Sequence, residues 1–319
     1  MCYTDATIIR RGVFHMTLHQ GSIGYIEAHK GIQYYEQTPE EARRERALAR
    51  KFPVNIAGIQ SIEDRKIAVR DGQINVRIYT PDGDGPFPVI VYYHGGGWVF
   101  GSPEYADGGC RYLTVAAHAV VVSVDYRLAP EYRFPTPVND AYDALVWVDN
   151  HADDLHIDRQ NITVSGDSAG GNLAAVVSAL SADYDGPTIK QQALIYPVLD
   201  IDFNRSSYKT FGENLGLDKD GMIWFTEQYV DAANQKNPLV APLQAKSFAQ
   251  LPRTLLIAAQ YDVLVDEGIR YINTLQQAGV QAERIELEGL IHSYFSKIEF
   301  FDTETKATAE LIANFLTPC

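Results

Sequence analysis

Three cysteines in 319 residues, Cys2, Cys110 and Cys319, are too few and too scattered for a disulfide framework. They suit the reduced thiols of a cytoplasm. Positive charge is also short: 27 Lys and Arg stand against 41 Asp and Glu, a formal net charge of −14. Such a chain repels phosphate backbones and anionic headgroups, so neither nucleic acid nor a stable membrane association is expected. No run approaches the roughly 18 apolar residues that cross a bilayer. The Arg10-Arg11 pair is followed by no sustained apolar stretch, which argues against a secretory or twin-arginine signal, and Met16 is a second candidate start. There is no HExxH and no clustered His, Cys and Asp spacing, so no metal is expected. Internal repeats and low-complexity tracts are missing too.

Apolar material is plentiful. At 46% hydrophobic residues the chain holds enough for one large α/β core. Thr38 reads as the N-cap of a helix in TPEEARRERALAR, with Pro39 at its first position and Pro53 beyond its end. Its charges read as a solvated face. Alternating runs flank Asp71-Gly72 and read as a hairpin. Beyond PDGDGPFP, the runs PVIVYY, AVVVSVDY, NITVS, QALIY and RTLLIAA are short and almost continuously apolar, as strands buried on both faces are. Helical segments separate them at 138–150, 170–182 and 266–278. Strand alternating with helix argues for a mostly parallel sheet covered on both sides. An N-terminal cap segment is expected at 1–60 and a catalytic core at 61–319. Residues 201–240, rich in aromatics and without a buried-strand signal, read as a second cap insertion, with an ordinary helical excursion as the alternative.

Gly166-Asp167-Ser168-Ala169-Gly170 lies where one such strand gives way to a helix, and it fits the G-x-S-x-G nucleophile elbow. So tight a turn leaves almost no room for side chains two positions from the serine. It lifts the hydroxyl above the sheet edge, at a helix N-terminus that favours developing negative charge. The competing reading is a plain turn. A serine nucleophile needs a base and a hole for the oxyanion. His94-Gly95-Gly96-Gly97-Trp98 follows the strand PVIVYY, and Gly95 and Gly96 are the expected donors, joined by the amide of Ala169. A flexible turn or a phosphate cradle is the alternative, but the chain has neither Gly-Lys-Ser/Thr nor a helix-opening G-x-G-x-x-G. In this sheet architecture the acid and base follow the serine in the order Asp, His. Asp262 and His292 stand just past two strand-like runs, where sites in such sheets collect. Asp266 and Glu267 are rival carboxylates that read instead as the start of a helix. His94 reads as a brace for the glycine turn, and the run from Asp125 to Glu131 as an ion-paired loop.

HGGGW, DYRLAPE, GDSAGGN, YPVLD, YDVLVDEG and GLIHSYF, in that order from about Ile67 onward, resemble the hormone-sensitive-lipase-like branch (bacterial family IV) of the α/β-hydrolases. The resemblance implies an α/β-hydrolase fold: an eight-stranded, mostly parallel sheet with helices on both faces and a helical cap. It further implies a serine carboxylesterase acting on short- to medium-chain acyl esters, without cofactor, and pairing into homodimers. VQAERIELEG would then be an exposed edge strand at the dimer seam. Carried over position by position, the triad is Ser168, Asp262 and His292, and the oxyanion hole is Gly95, Gly96 and Ala169. Trp98, Phe211 and Leu215 are candidates for lining the pocket. The chain departs from the family where proline follows the aspartate and Gly-Phe follows the histidine; Val263 and Ser293-Tyr294 stand there. Two other functions stay open: an amide-cleaving hydrolase on the same triad, and a non-catalytic ligand-binding receptor of the same fold.

Overall fold

The protein is seen here as a computed structural model that describes residues 8–11, 14–48 and 56–317. Cys2, Cys319 and the expected helix end at Pro53 lie outside them. The order of elements begins with a hairpin of β1 (Ile8–Arg11) and β2 (Phe14–Thr17), then helices α1 (Gln20–Ala28) and α2 (Pro39–Leu48). Thr38 caps α2 reciprocally: its Oγ1 accepts the Glu41 N–H at 3.3 Å, and Glu41 Oε2 accepts the Thr38 N–H at 3.0 Å. The face expected to be solvated is only partly so. Arg43 reaches 56 residues along the chain to donate to the Val99 carbonyl at 2.8 Å, and it also grips Glu131.

Strands β3 (Ile59–Val69) and β4 (Gly72–Pro81) form the expected hairpin, with Val69 opposite Gly72. There follow β5 (Phe87–Tyr93), α3 (Pro103–Ala117), β6 (Val120–Asp125), α4 (Thr136–Asn150), β7 (Ile157–Asp167), α5 (Ala169–Asp183) and β8 (Ile189–Ile195). Residues 201–240 hold α6 (Ser206–Phe211) and α7 (Lys219–Tyr229) and no strand. The chain then runs through β9 (Arg253–Tyr261), α8 (Val265–Gln277), β10 (Ala282–Ile291) and α9 (Ile298–Leu316). The main sheet has eight strands in the order β10-β9-β8-β7-β5-β6-β4-β3, parallel except where β4 meets β3 and β6.

Period-2 alternation in the apolar runs explains the layers. In β5, Val89, Val91 and Tyr93 point into a core shared with α4, α5 and α8. Ile90 and Tyr92 point into a second core on the other face, with α3 and α9. The same alternation repeats in β6 and β9, so two cores flank one sheet. Each buried Val, Leu or Ile contributes about 1.5–3 kcal/mol relative to exposure. The sheet's carboxyl ends therefore stand on a rigid floor.

One close approach matters for the site. Gly170, in the first turn of α5, lies against the carbonyl of Tyr93, and a Cβ there would collide with that oxygen. Gly268, in α8, meets only Leu256 methyls at ordinary contact, 3.4 Å. Gly170→Ala should therefore lose more than about 3 kcal/mol or fail to fold, while Gly268→Ala should stay within about 1 kcal/mol of native. Urea unfolding of the two variants checks this; a native midpoint for Gly170→Ala would contradict the packing.

Candidate active site

Four strand ends build the site. The elbow comes first. Ser168 follows β7 with φ 56° and ψ −118°, a conformation that a residue with a Cβ adopts only when its surroundings impose it. The Ser168 N–H donates to the Ile195 carbonyl at 2.9 Å, and the Ser168 carbonyl accepts from the N–H groups of Asn172 and Val198 at 3.0 and 3.2 Å. These bonds hold the turn.

Asp262 follows β9 and His292 follows β10. His292 Nε2 lies 2.8 Å from Ser168 Oγ, and its Nδ1 lies 2.7 Å from Asp262 Oδ2. With Nδ1 as the donor to a carboxylate, Nε2 is left to accept from the hydroxyl. All three residues are buried. Asp262 Oδ1 is itself held by the Leu264 N–H at 3.0 Å. The rival carboxylates are engaged elsewhere: Asp266 accepts the Ser207 N–H at 2.9 Å, and Glu267 accepts the Leu199 N–H at 2.7 Å. Burial drives the Glu267 carboxyl well above its ordinary range.

A bulge aims His292. The register of β10 on β9 shifts between Leu287 and Ile291, and Gly289 sits there with φ 75°. Its N–H leaves the ladder for Gln260 Oε1 at 2.8 Å, while its carbonyl accepts from the His19 N–H and the Ser22 hydroxyl, both at 2.9 Å. The N-terminal segment is thereby tied to the strand that carries the histidine. Beside the imidazole stands Tyr196, ring centroids 4.7 Å apart, whose hydroxyl accepts the Phe295 N–H. Ser293 occupies φ 69°, a left-handed conformation that favours glycine.

The glycine loop corrects one expectation. The Gly95 N–H is taken by Asp167 Oδ1 at 2.7 Å and is not open to a ligand. The N–H groups of Gly96, Gly97 and Ala169 find no acceptor among the described residues. Gly97, the third glycine of the run, thus has the open N–H that the sequence reading gave to Gly95, and Asp167 is what occupies Gly95. His94 braces the turn as expected. Its Nδ1 donates to the Gly95 carbonyl at 2.8 Å, and its ring stacks on Tyr126 at 4.3 Å.

The pocket candidates divide. Trp98 has no exposed surface and stacks on Tyr229 at 4.2 Å, so it is packing and lines no open pocket. Phe211 lies edge-on to Tyr261, the residue before Asp262, at 5.8 Å. Leu215 is buried in the same core as Ile291, the residue before His292. Above the glycine loop, Phe225 of α7 closes on Gly97 and on Tyr34 of the N-terminal segment. The expected ion-paired loop is present, with Arg127 bidentate on Asp140. Among the described residues no cluster of His, Cys, Asp and Glu could hold a metal ion.

A strained serine after a central strand, a histidine and an aspartate past later strands, and a glycine loop opposite define an α/β-hydrolase. Residues 90–296 match the family described as alpha/beta hydrolase fold, and the chain belongs to it, in its hormone-sensitive-lipase-like branch. It is 35% identical over 280 residues to carboxylesterase NlhH of Mycobacterium tuberculosis, spanning 86% of this chain and 88% of that one. It is 36% identical over 239 residues to ethyl acetate hydrolase of Pseudomonas putida, spanning 73% and 75%. A thermostable esterase from Pseudomonas putida superposes with a TM-score of 0.87 at 32% identity, covering 95% of this chain and 98% of that one.

Burial pushes the His94 imidazole down to about 4 from its ordinary 6.5. The unfolded chain therefore takes up that proton first as pH falls, and the stabilisation from the neutral ring, complete above about 6.5, is lost between about 6.5 and 4. It amounts to roughly 3 kcal/mol. Between pH 7 and 4 the native protein should lose roughly that much more stability than His94→Asn, as read by denaturant unfolding at each pH. Parallel curves for the two proteins would show that His94 carries no such linkage.

Proposed function

We infer that the protein is a serine carboxylesterase that hydrolyses short- to medium-chain acyl esters through an acyl-enzyme. The carrying observation is the bridge His292 makes from Ser168 Oγ at 2.8 Å to Asp262 at 2.7 Å. As Ser168 Oγ bonds to the ester carbonyl carbon, its proton passes to His292 Nε2 and the carbonyl electron pair moves onto oxygen. Asp262 stabilises the imidazolium. The N–H groups of Gly96, Gly97 and Ala169 receive the oxyanion, Gly97 replacing Gly95 in that role. Collapse breaks the bond to the leaving alkoxide, which takes the proton from His292. Water then repeats the sequence on the acyl-enzyme and releases the acid.

Around this centre, residues 1–60 and 201–240 serve as the cap, a role supported by the meeting of Tyr34 with Phe225 over the glycine loop. Phe211 and Leu215 form the wall on the acid–base side. The partner is a small-molecule ester. Strand β10 is an edge of the sheet, which supports its use as the seam of a homodimer. A cytoplasmic setting agrees with the unpaired Cys110, and no helix among the described residues is long and apolar enough to cross a membrane.

Hydrolysis of p-nitrophenyl esters from acetyl to palmitoyl, with Ser168→Ala beside the native protein, tests the reading. Turnover should peak at short or medium chains and fall by more than about 10⁴-fold in the variant. Because the base must be neutral, kcat/KM should also decline toward acidic pH. A rate that is flat from about pH 5 to 8, or equal in the two proteins, would sink the mechanism.

A further inference from the structure

Asp167 is the last residue of β7, immediately before Ser168, and its side chain is almost fully buried. A carboxylate so placed is costly unless hydrogen bonds satisfy it. Two do, both on Oδ1: the Tyr92 hydroxyl at 2.8 Å and the Gly95 N–H at 2.7 Å. Oδ2 closes on Gly95 from the other side, so that a Cβ at residue 95 would collide with it. One carboxylate thus joins the elbow to the start of the glycine loop, and Gly95 has no other position available. The next two residues, Gly96 and Gly97, are those whose N–H groups remain open.

The same carboxylate has an electrostatic reach. Burial raises its proton affinity, the hydrogen bonds from Tyr92 and Gly95 act against that rise, and a positive charge on the His292 imidazole adds to them. The other titratable groups that feel Asp167 are Tyr92, Tyr126, Tyr196, Tyr294 and Cys110, and burial drives all of them upward, so they stay neutral between pH 5 and 8. On His292 itself the facing groups are Asp262, Ser168 and Tyr196.

We propose that Asp167 is a positioning residue for the ester hydrolysis: it fixes the oxyanion loop through the Gly95 N–H and supplies, beside Asp262, a second negative charge for the imidazolium formed at His292. The proposal rests on the hydrolase reading given above. A carboxylate this close also opposes the oxyanion, and two donors on one oxygen spread that charge. The net effect is assistance, because the loop geometry and the imidazolium both depend on it.

Two variants separate these roles. Asp167→Asn keeps an Oδ1 acceptor for both donors, removes the charge and puts an amide NH2 in place of Oδ2. The imidazolium is then less favoured, so the acid limb of the kcat/KM profile should move to lower pH by about half a unit or more. Asp167→Ala also frees the loop, and kcat should fall on the order of 100-fold with KM within about threefold of native, as when an oxyanion donor is misplaced. An acid limb left in place in Asp167→Asn overturns the proposal, whatever kcat does, since a merely structural carboxyl leaves it there. Should Asp167→Ala not fold, the Asp167→Asn profile decides alone. Ser168→Ala distinguishes the two levels of inference. If it turns over ester as fast as native, the hydrolase reading falls and the proposal with it. If it is inert while the Asp167→Asn limb is unmoved, only the proposal falls.

Discussion

The constraint on which the rest depends is the backbone conformation of one serine. With φ 56° and ψ −118°, Ser168 occupies a region that is sterically disfavoured for any residue with a Cβ. Strain of this kind costs about 1–3 kcal/mol and persists only where neighbours over-determine it. Here they do, through bonds to Ile195, Asn172 and Val198. The tightness of the turn presses Gly170 against the Tyr93 carbonyl, which fixes α5 against the end of β5. The glycine loop begins at the next residue, His94. Placing the nucleophile therefore also places the oxyanion loop, through backbone contact rather than through long side chains.

Parallel strands bring the remaining groups to the same end of the sheet. Asp262 needs only the end of β9. His292 needs more, because β10 is an edge strand with a neighbour on one side only. The bulge at Gly289 meets that need: Gln260 takes up the N–H lost from the ladder, and the N-terminal segment covers the carbonyl from the other side. An edge strand that would otherwise fray is thus clamped at the residue before Leu290, Ile291 and His292. The N-terminal segment is in this sense part of the support of His292.

How legible this was in the sequence follows from the range of each interaction. Strand runs, the hairpin at Asp71-Gly72 and the helix cap at Thr38 are local, and each appears where its residues predict. Helix α3 is harder, because Gly108 and Gly109 lie in its middle and argue against a helix on propensity. Ser168, Asp262 and His292 were readable because strand ends mark where side chains converge. Gly95 was misread because the fate of its N–H depends on a carboxylate 72 residues away. Arg43 looked solvated for the same reason. Trp98 looked like a pocket wall, and its neighbour in space, Tyr229, lies at the end of α7, where no local pattern points to it.

A last regularity concerns charge. Around Asp262 and His292, carboxyl groups accept backbone N–H groups, Asp262 from Leu264, Asp167 from Gly95, Glu267 from Leu199 and the part-buried Asp266 from Ser207, while buried Asp200 pairs with Arg205. The bidentate arginine pair, Arg127 with Asp140, lies in another loop. The ties of Asp167, Glu267 and Asp266 each join segments far apart in sequence, so these carboxyl groups work as fasteners. Tying them with neutral donors has a second effect. A resting arginine at the site would repel an imidazolium and lower the affinity of His292 for the serine proton. At Asp262 and Asp167 the backbone donors are neutral, so their negative charge is left for an imidazolium formed when Ser168 gives up its proton. Buried carboxylates are usually a liability in a fold. Here the fastening and the chemistry need the same negative charge, which is why it is tolerated beside the nucleophile.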